Sequence, residues 1–207
     1  QWNLSQLANS LYPLINEAEP LEKILDSFMN DFDNDYKTMF LSKLGLFTSR
    51  ESDDKIIQGL EEILQLSETD MTIFFRNLSQ IQKDDSVENA IKKVEFAFYI
   101  PEEIKENTLD AWQKWFSVYL RRLQSEELSD QERAVKMNKI NPKYVLRNYM
   151  SQLAIDAADK GDYTLIDELF QLLKNPYDKQ PEFEKWFAKR PDWARTKVGC
   201  SMLSCSS

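Results

Sequence analysis

Three short stretches carry residue types and spacings suited to chemistry. Asp31, Asp33 and Asp35 alternate with Phe32 and Asn34 like the opening of a calcium loop. An EF-hand then needs glycine at its sixth position and a bidentate glutamate at its twelfth. Those positions hold Tyr36 and Ser42, and helical apolar spacing runs straight through the triplet, so a solvated acidic helix face is expected instead. The second stretch, Lys185-Trp186-Phe187-Ala188-Lys189-Arg190 with Trp193 and Arg195, has the cations and rings on which single-stranded bases stack. A helix end docked by its aromatics, with its cations offsetting an acidic background, is the expectation preferred here. In the third, Cys200 and Cys205 lie five apart in a tail of small residues, which puts both thiols within reach of solvent as redox chemistry needs. Their spacing is neither C-x-x-C nor that of a zinc knuckle, and the residues alone leave inert and redox thiols both open.

What the chain lacks narrows the field further. It contains no histidine, which removes Ser-His-Asp and Cys-His catalysis, H-E-x-x-H zinc sites and a His-led kinase catalytic loop. Gly45, Gly59, Gly161 and Gly199 are never closer than 14 positions, so neither a dinucleotide fingerprint nor a Walker loop exists. No catalytic, cofactor-binding or metal-ligating residue is therefore assigned. A net charge of −9 argues against a nucleic-acid partner, which clustered Lys and Arg would hold. That charge is uneven: residues 17–35 carry Glu17, Glu19, Glu22, Asp26, Asp31, Asp33 and Asp35 against Lys23 alone, and residues 185–197 reverse the sign. No apolar run approaches the length of a membrane span, and no signal peptide is visible. The chain opens at Gln1-Trp2 and reads as a piece of something longer. Asn3-Leu4-Ser5 and Asn77-Leu78-Ser79 match the glycosylation triplet, which matters only in a secreted chain.

The elements that position these residues are helices. Leu4, Leu7, Ala8, Leu11, Leu14 and Ile15 follow three-four spacing and share one helical face. After Pro20, apolar residues from Leu21 to Leu44 make a longer helix, with Gly45 placed for a left-handed cap. Ile56 to Leu64 gives a third helix and Met71 to Leu78 a fourth, starting near Thr69 or Asp70. A helix over 86–97 is followed by a connection at Tyr99-Ile100-Pro101. Thr108 is expected to cap a helix burying Leu109, Trp112, Trp115, Phe116, Tyr119, Leu120 and Leu123, whose aromatics belong to the core rather than to a ligand cage. Ser129 with Glu132 forms a capping box, and Asn141-Pro142 supplies a cap plus a first-turn proline for a helix that Gly161 ends. Asp162 starts a last helix ending at Asn175-Pro176, before an aromatic segment with Phe183, Trp186 and Phe187.

Six valines and no useful period-two alternation predict an all-α, irregular multi-helix array without strands. The pair over 142–174 looks like one unit of a helical repeat, but no second copy follows at a fixed period. Residues 1–207 are expected to form one helical unit, with 199–207 as a flexible Cys/Ser tail.

Several motifs in this frame are similar to the selenoprotein O family. They are Trp2-Asn3-Leu4-x-x-Leu7-Ala8; Met137-Asn138; Asn141-Pro142-x-Tyr144-Val145-Leu146-Arg147-Asn148-Tyr149; and Gln152-x-Ala154-Ile155-x-x-Ala158-x-x-Gly161-Asp162-Tyr163. Asn175-Pro176-Tyr177, Gln180-Pro181-Glu182, Pro191-Asp192-Trp193 and Cys205-Ser206-Ser207 continue the match in the family's order. The resemblance implies the C-terminal part of a protein-kinase-like (pseudokinase) fold whose parent is a protein adenylyltransferase. Such a parent moves AMP from ATP, with Mg2+ or Mn2+, to Ser, Thr or Tyr hydroxyls of protein substrates. The family's phosphate- and metal-holding positions precede the matched segment, so the fragment is expected to bind neither ATP nor metal and to be inactive alone. Its implied partners are the N-terminal kinase-like region of the same protein and the substrate proteins. The implied compartment is the cytoplasm for a bacterial chain and the mitochondrion for a eukaryotic one. Cys205, third from the end, matches the family's selenocysteine or cysteine position, and its implied redox partner lies outside the fragment rather than at Cys200. The competing expectation is a free-standing helical interaction module with no enzymatic parent.

Overall fold

The computed structural model describes residues 1–198 and Cys200. Among the described residues nine α-helices run in chain order: α1 (Trp2–Ile15), α2 (Glu19–Leu44), α3 (Asp53–Leu64), α4 (Met71–Leu78), α5 (Val87–Val94), α6 (Glu106–Leu123), α7 (Asp130–Ile140), α8 (Asn148–Ala158) and α9 (Thr164–Lys174). Short 3-10 turns follow α5, precede α6 and recur at Pro181–Trp186 and Asp192–Arg195. The described residues contain no strand, only a single bridge between Thr69 and Phe98. The class is all-α, as the periodicity predicts. None of these helices is long and apolar enough to cross a membrane.

Two apolar cores organise the described residues. The larger centres on α6, whose Trp112, Trp115, Phe116, Tyr119, Leu120 and Leu123 are buried among residues of α3, α4 and α5. Trp112 meets Phe98 at 5.1 Å and Phe74 at 5.5 Å between ring centroids, and Trp115 stacks on Tyr119 at 5.0 Å. Each such pair adds about 0.5–1.5 kcal/mol beyond area burial. Their polar ends are satisfied: Trp115 Nε1–H donates to the Ile56 carbonyl at 2.9 Å, and the Tyr119 hydroxyl donates to the Leu44 carbonyl at 2.8 Å. The second bond satisfies one of the carbonyls that a helix C-terminus leaves unpaired. The smaller core joins Tyr144, Tyr149, Met150, Ala154, Leu169, Leu172, Ala194 and Cys200. Phe187 packs against both cores and so stitches them together.

Gly45 ends α2 at φ 73, where a Cβ would meet Met137 Sδ at 2.5 Å, so both backbone and space demand glycine. The Ser129–Glu132 capping box forms on α7. Two expected helix starts are different. α6 begins at Glu106 rather than at a Thr108 cap, entered from the Pro101–Glu103 turn with an acid at the positive end of its dipole. Asn141-Pro142 starts no helix. Its amide donates instead to the Lys43 carbonyl at 2.9 Å and the Phe75 carbonyl at 3.3 Å, closing α7 against α2 and α4. Beyond it, the Lys143 and Tyr144 amides both donate to the Pro176 carbonyl, and α8 waits until Asn148.

Candidate functional site

Residues 1–35 form an arm that belongs to neither core. Among the described residues, none before Tyr36 packs against either one. α1 has the three-four apolar spacing of a core-facing helix yet buries no residue. It rests on α2, with Leu4, Ser5 and Ala8 of α1 and Leu21, Leu25 and Phe28 of α2 half-buried. The rest of its apolar surface is open: Trp2 is 73% exposed, Leu7 54% and Leu14 80%. Burying one such side chain fully contributes about 1.5–3 kcal/mol, and a fourteen-residue helix is marginal without packing. The amphipathic pattern is thus present without the surface it should cover.

The outer half of α2 carries a groove of about 430 Å³ lined by Ile24, Phe28, Phe32, Tyr36 and Met39. Phe28, Phe32, Tyr36 and Phe40 form a ladder of rings at 6.1, 6.0 and 4.8 Å. The Tyr36 hydroxyl donates to Glu61, and that bond, with burial and the Glu61 charge, pushes its pKa up to about 12. Asp31 and Asp35 line the same groove. Lys37 is held by Asp54 at 2.7 Å and Lys23 by Glu19 at 2.7 Å, while Asp31, Asp33 and Asp35 have no cationic partner among the described residues. These three acids lie on a continuous exposed helix, which excludes the calcium-loop geometry.

Most of the buried charge is paired, although Arg133 Nε and Asp130 Oδ1 are buried without a hydrogen-bond partner. Asp70 caps α4 by accepting from the Ile73 amide at 3.0 Å, accepts from the Tyr99 hydroxyl at 3.3 Å, and takes both terminal nitrogens of Arg147. Burial opposes the Arg147 charge, but the bonds and charge of Asp70 outweigh it and raise the guanidinium above its ordinary value. Arg122 likewise spans Asp53 at 2.7 Å and Glu126 at 2.6 Å. A cleft of about 620 Å³ beside α4 and α7 contains Arg76 and Lys143. Arg76 donates through Nη1 to the carbonyls of Asn138 and Asn141, both at 2.9 Å, and Lys143 donates to Glu184 and the Lys179 carbonyl. Among the described residues no three acids or cysteines gather to hold a metal. These donors do not fit a nucleotide–metal site, and none is assigned to them.

The basic, aromatic segment is docked. Arg190 and Arg195 both reach Glu68 at 2.8 Å, Lys189 donates to the Phe98 carbonyl, and Trp186 Nε1–H donates to Glu168 at 2.6 Å. Its cations clamp the smaller core onto the 68–99 region. Cys200 departs from the expected solvent-reachable thiol: it is buried beside Tyr149 and Leu172 in the smaller core. Cys205 and the rest of the 199–207 tail lie outside the described residues. The Asp70–Arg147 and Asp53–Arg122 pairs were not legible in the sequence because their partners lie 77 and 69 positions apart; only Arg122–Glu126, at helical i,i+4 spacing, left a local sign.

Fold and site together define an all-helical unit with two cores and one uncovered arm. The family model for "Protein adenylyltransferase SelO" matches residues 1–174, and the chain belongs to that family. It is 71% identical over 206 residues to a Flavobacterium johnsoniae protein named "Protein nucleotidyltransferase YdiU". Proteins of the same name from Rhodopirellula baltica and Aromatoleum aromaticum are 44% and 43% identical. In each comparison all of this chain is covered but only 39–40% of the relative. The chain thus spans about two fifths of the length of these curated relatives.

Proposed function

We propose that residues 1–207 are the helical supporting half of a protein adenylyltransferase. The parent transfers AMP from ATP, with Mg2+ or Mn2+, to Ser, Thr or Tyr hydroxyls of proteins, using groups that lie outside this segment in the kinase-like N-terminal region. The segment's own work is to hold that region through the uncovered apolar face of α1 and the outer half of α2. Cys205 is the redox candidate of the tail, with its thiol partner also outside the segment. The names of the relatives support nucleotide transfer. One structural observation carries the supporting role: α1 has the apolar spacing of a buried helix and buries nothing, in a chain two fifths as long as its relatives.

The test is AMP transfer from ATP to a protein acceptor by the full-length protein carrying Leu7→Asp and Leu14→Asp. Charges on a docked face should lower transfer at least tenfold, the equivalent of about 1.4 kcal/mol, and the 207-residue chain alone should transfer none. Unchanged transfer in the double variant, or transfer by the segment alone, would overturn the reading.

A further inference from the structure

Resting on the supporting role just proposed, we infer that the α2 groove is occupied by a cationic amphipathic helix from the part of the parent polypeptide outside residues 1–207. All the residues that line it belong to α2, so it is an open apolar helix face, against which a second helix packs with anchors at i, i+3/i+4 and i+7 spacing. Ile24, Phe28, Phe32 and Met39 make its floor, and Ile24 and Phe32 are 64% and 51% exposed. Asp31 and Asp35, four residues apart on one side of it, have no cationic partner among the described residues, and residues 17–35 carry seven acids against one lysine. An apolar face with uncompensated carboxylates along one side selects a ligand that is apolar on one face and lysine-rich on the edge that meets them. Like charges in that position would repel.

An occupant from outside this segment is favoured because the segment's own cation-rich stretch is committed elsewhere. Arg190 and Arg195 are paired with Glu68, Lys185 with Glu168, and Lys197 with Asp156. A second copy therefore brings no free basic stretch from 185–197 to the groove. The relatives supply more than half their length beyond the matched region, ample chain for such a helix on the same polypeptide.

Zero-length carbodiimide cross-linking of the full-length protein, followed by peptide mapping, tests this directly, because it joins a carboxylate only to an amine already in contact with it. The expected products link Asp31 or Asp35 to lysines of the same polypeptide outside residues 1–207, and they vanish in the Asp31→Asn, Asp35→Asn variant. Products confined to lysines within residues 1–207, products joining two separate molecules, or no product at these acids would overturn the inference. The two ideas fail separately. Loss of AMP transfer in the Leu7→Asp, Leu14→Asp protein without such cross-links leaves the supporting role standing and removes the cationic helix. Retained transfer removes the supporting role itself.

Discussion

At the scale of single residues, buried charge and buried aromatic surface behave in opposite ways. Arg122 holds Asp53 and Glu126, both removed from solvent, so deleting it strands two carboxylates. Breaking a buried pair by removing one partner costs about 3–5 kcal/mol. Arg122→Ala should lower unfolding free energy by that amount in a denaturant titration, whereas removing the exposed Lys23 should cost under about 1 kcal/mol; equal effects would show that the network is not buried. Tyr119 gives a pH signature. Burial pushes its pKa from 10.0 up to about 12. The neutral phenol is favoured in the fold, so its contribution is complete below pH 10 and is lost as pH rises from 10 toward 12. Stability should decline over that window, and Tyr119→Phe should decline less steeply while starting about 1 kcal/mol lower for the lost bond to Leu44. The same declines in both proteins would exclude Tyr119 as a source. The aromatic core was readable from sequence because Trp112, Trp115, Phe116 and Tyr119 repeat at helical spacing. The partner of Arg147 was not, because no local rule links it to a residue 77 positions away.

At the scale of elements, ends were harder to read than middles. Gly45 and the Ser129–Glu132 box act through neighbouring backbone, so local sequence identifies them. Asn141-Pro142 has equally good local credentials for a helix start, but the Asn141 amide is claimed by carbonyls of α2 and α4. Tertiary hydrogen bonds outbid a cap worth about 1 kcal/mol. The two glycines with positive φ separate strain from crowding. At Gly161, φ is 83 and a Cβ would meet nothing within 4 Å, so Gly161→Ala should cost only the backbone term, about 1–2 kcal/mol. At Gly45 the same strain is joined by the contact with Met137, and Gly45→Ala should destabilise the protein clearly more. Thermal unfolding of the two variants side by side checks the order; equal shifts would mean that Met137 moves aside freely.

At the scale of the whole molecule, the sequence pattern for α1 shows which residues share a face and not what covers them. The helix forms as spaced, but apart from Leu4 and Ala8, half-buried against α2, its apolar face meets solvent and not a core. Periodicity says which residues share a face and nothing about whether the covering surface lies in the same 207 residues. The acidic run, expected as a solvated helix face, is one as far as this chain goes, though it flanks an apolar groove that composition alone did not reveal. Both features converge on an arm made to be covered. Hydroxyl-radical footprinting of the full-length protein measures that cover at Trp2, Met29 and Phe32, each scaled to its reactivity in the unfolded chain. If the arm docks on the rest of the parent, all three side chains react several-fold less than their exposures here, 73%, 46% and 51%, would allow. Reactivities in step with those exposures would leave the arm bare and contradict the account.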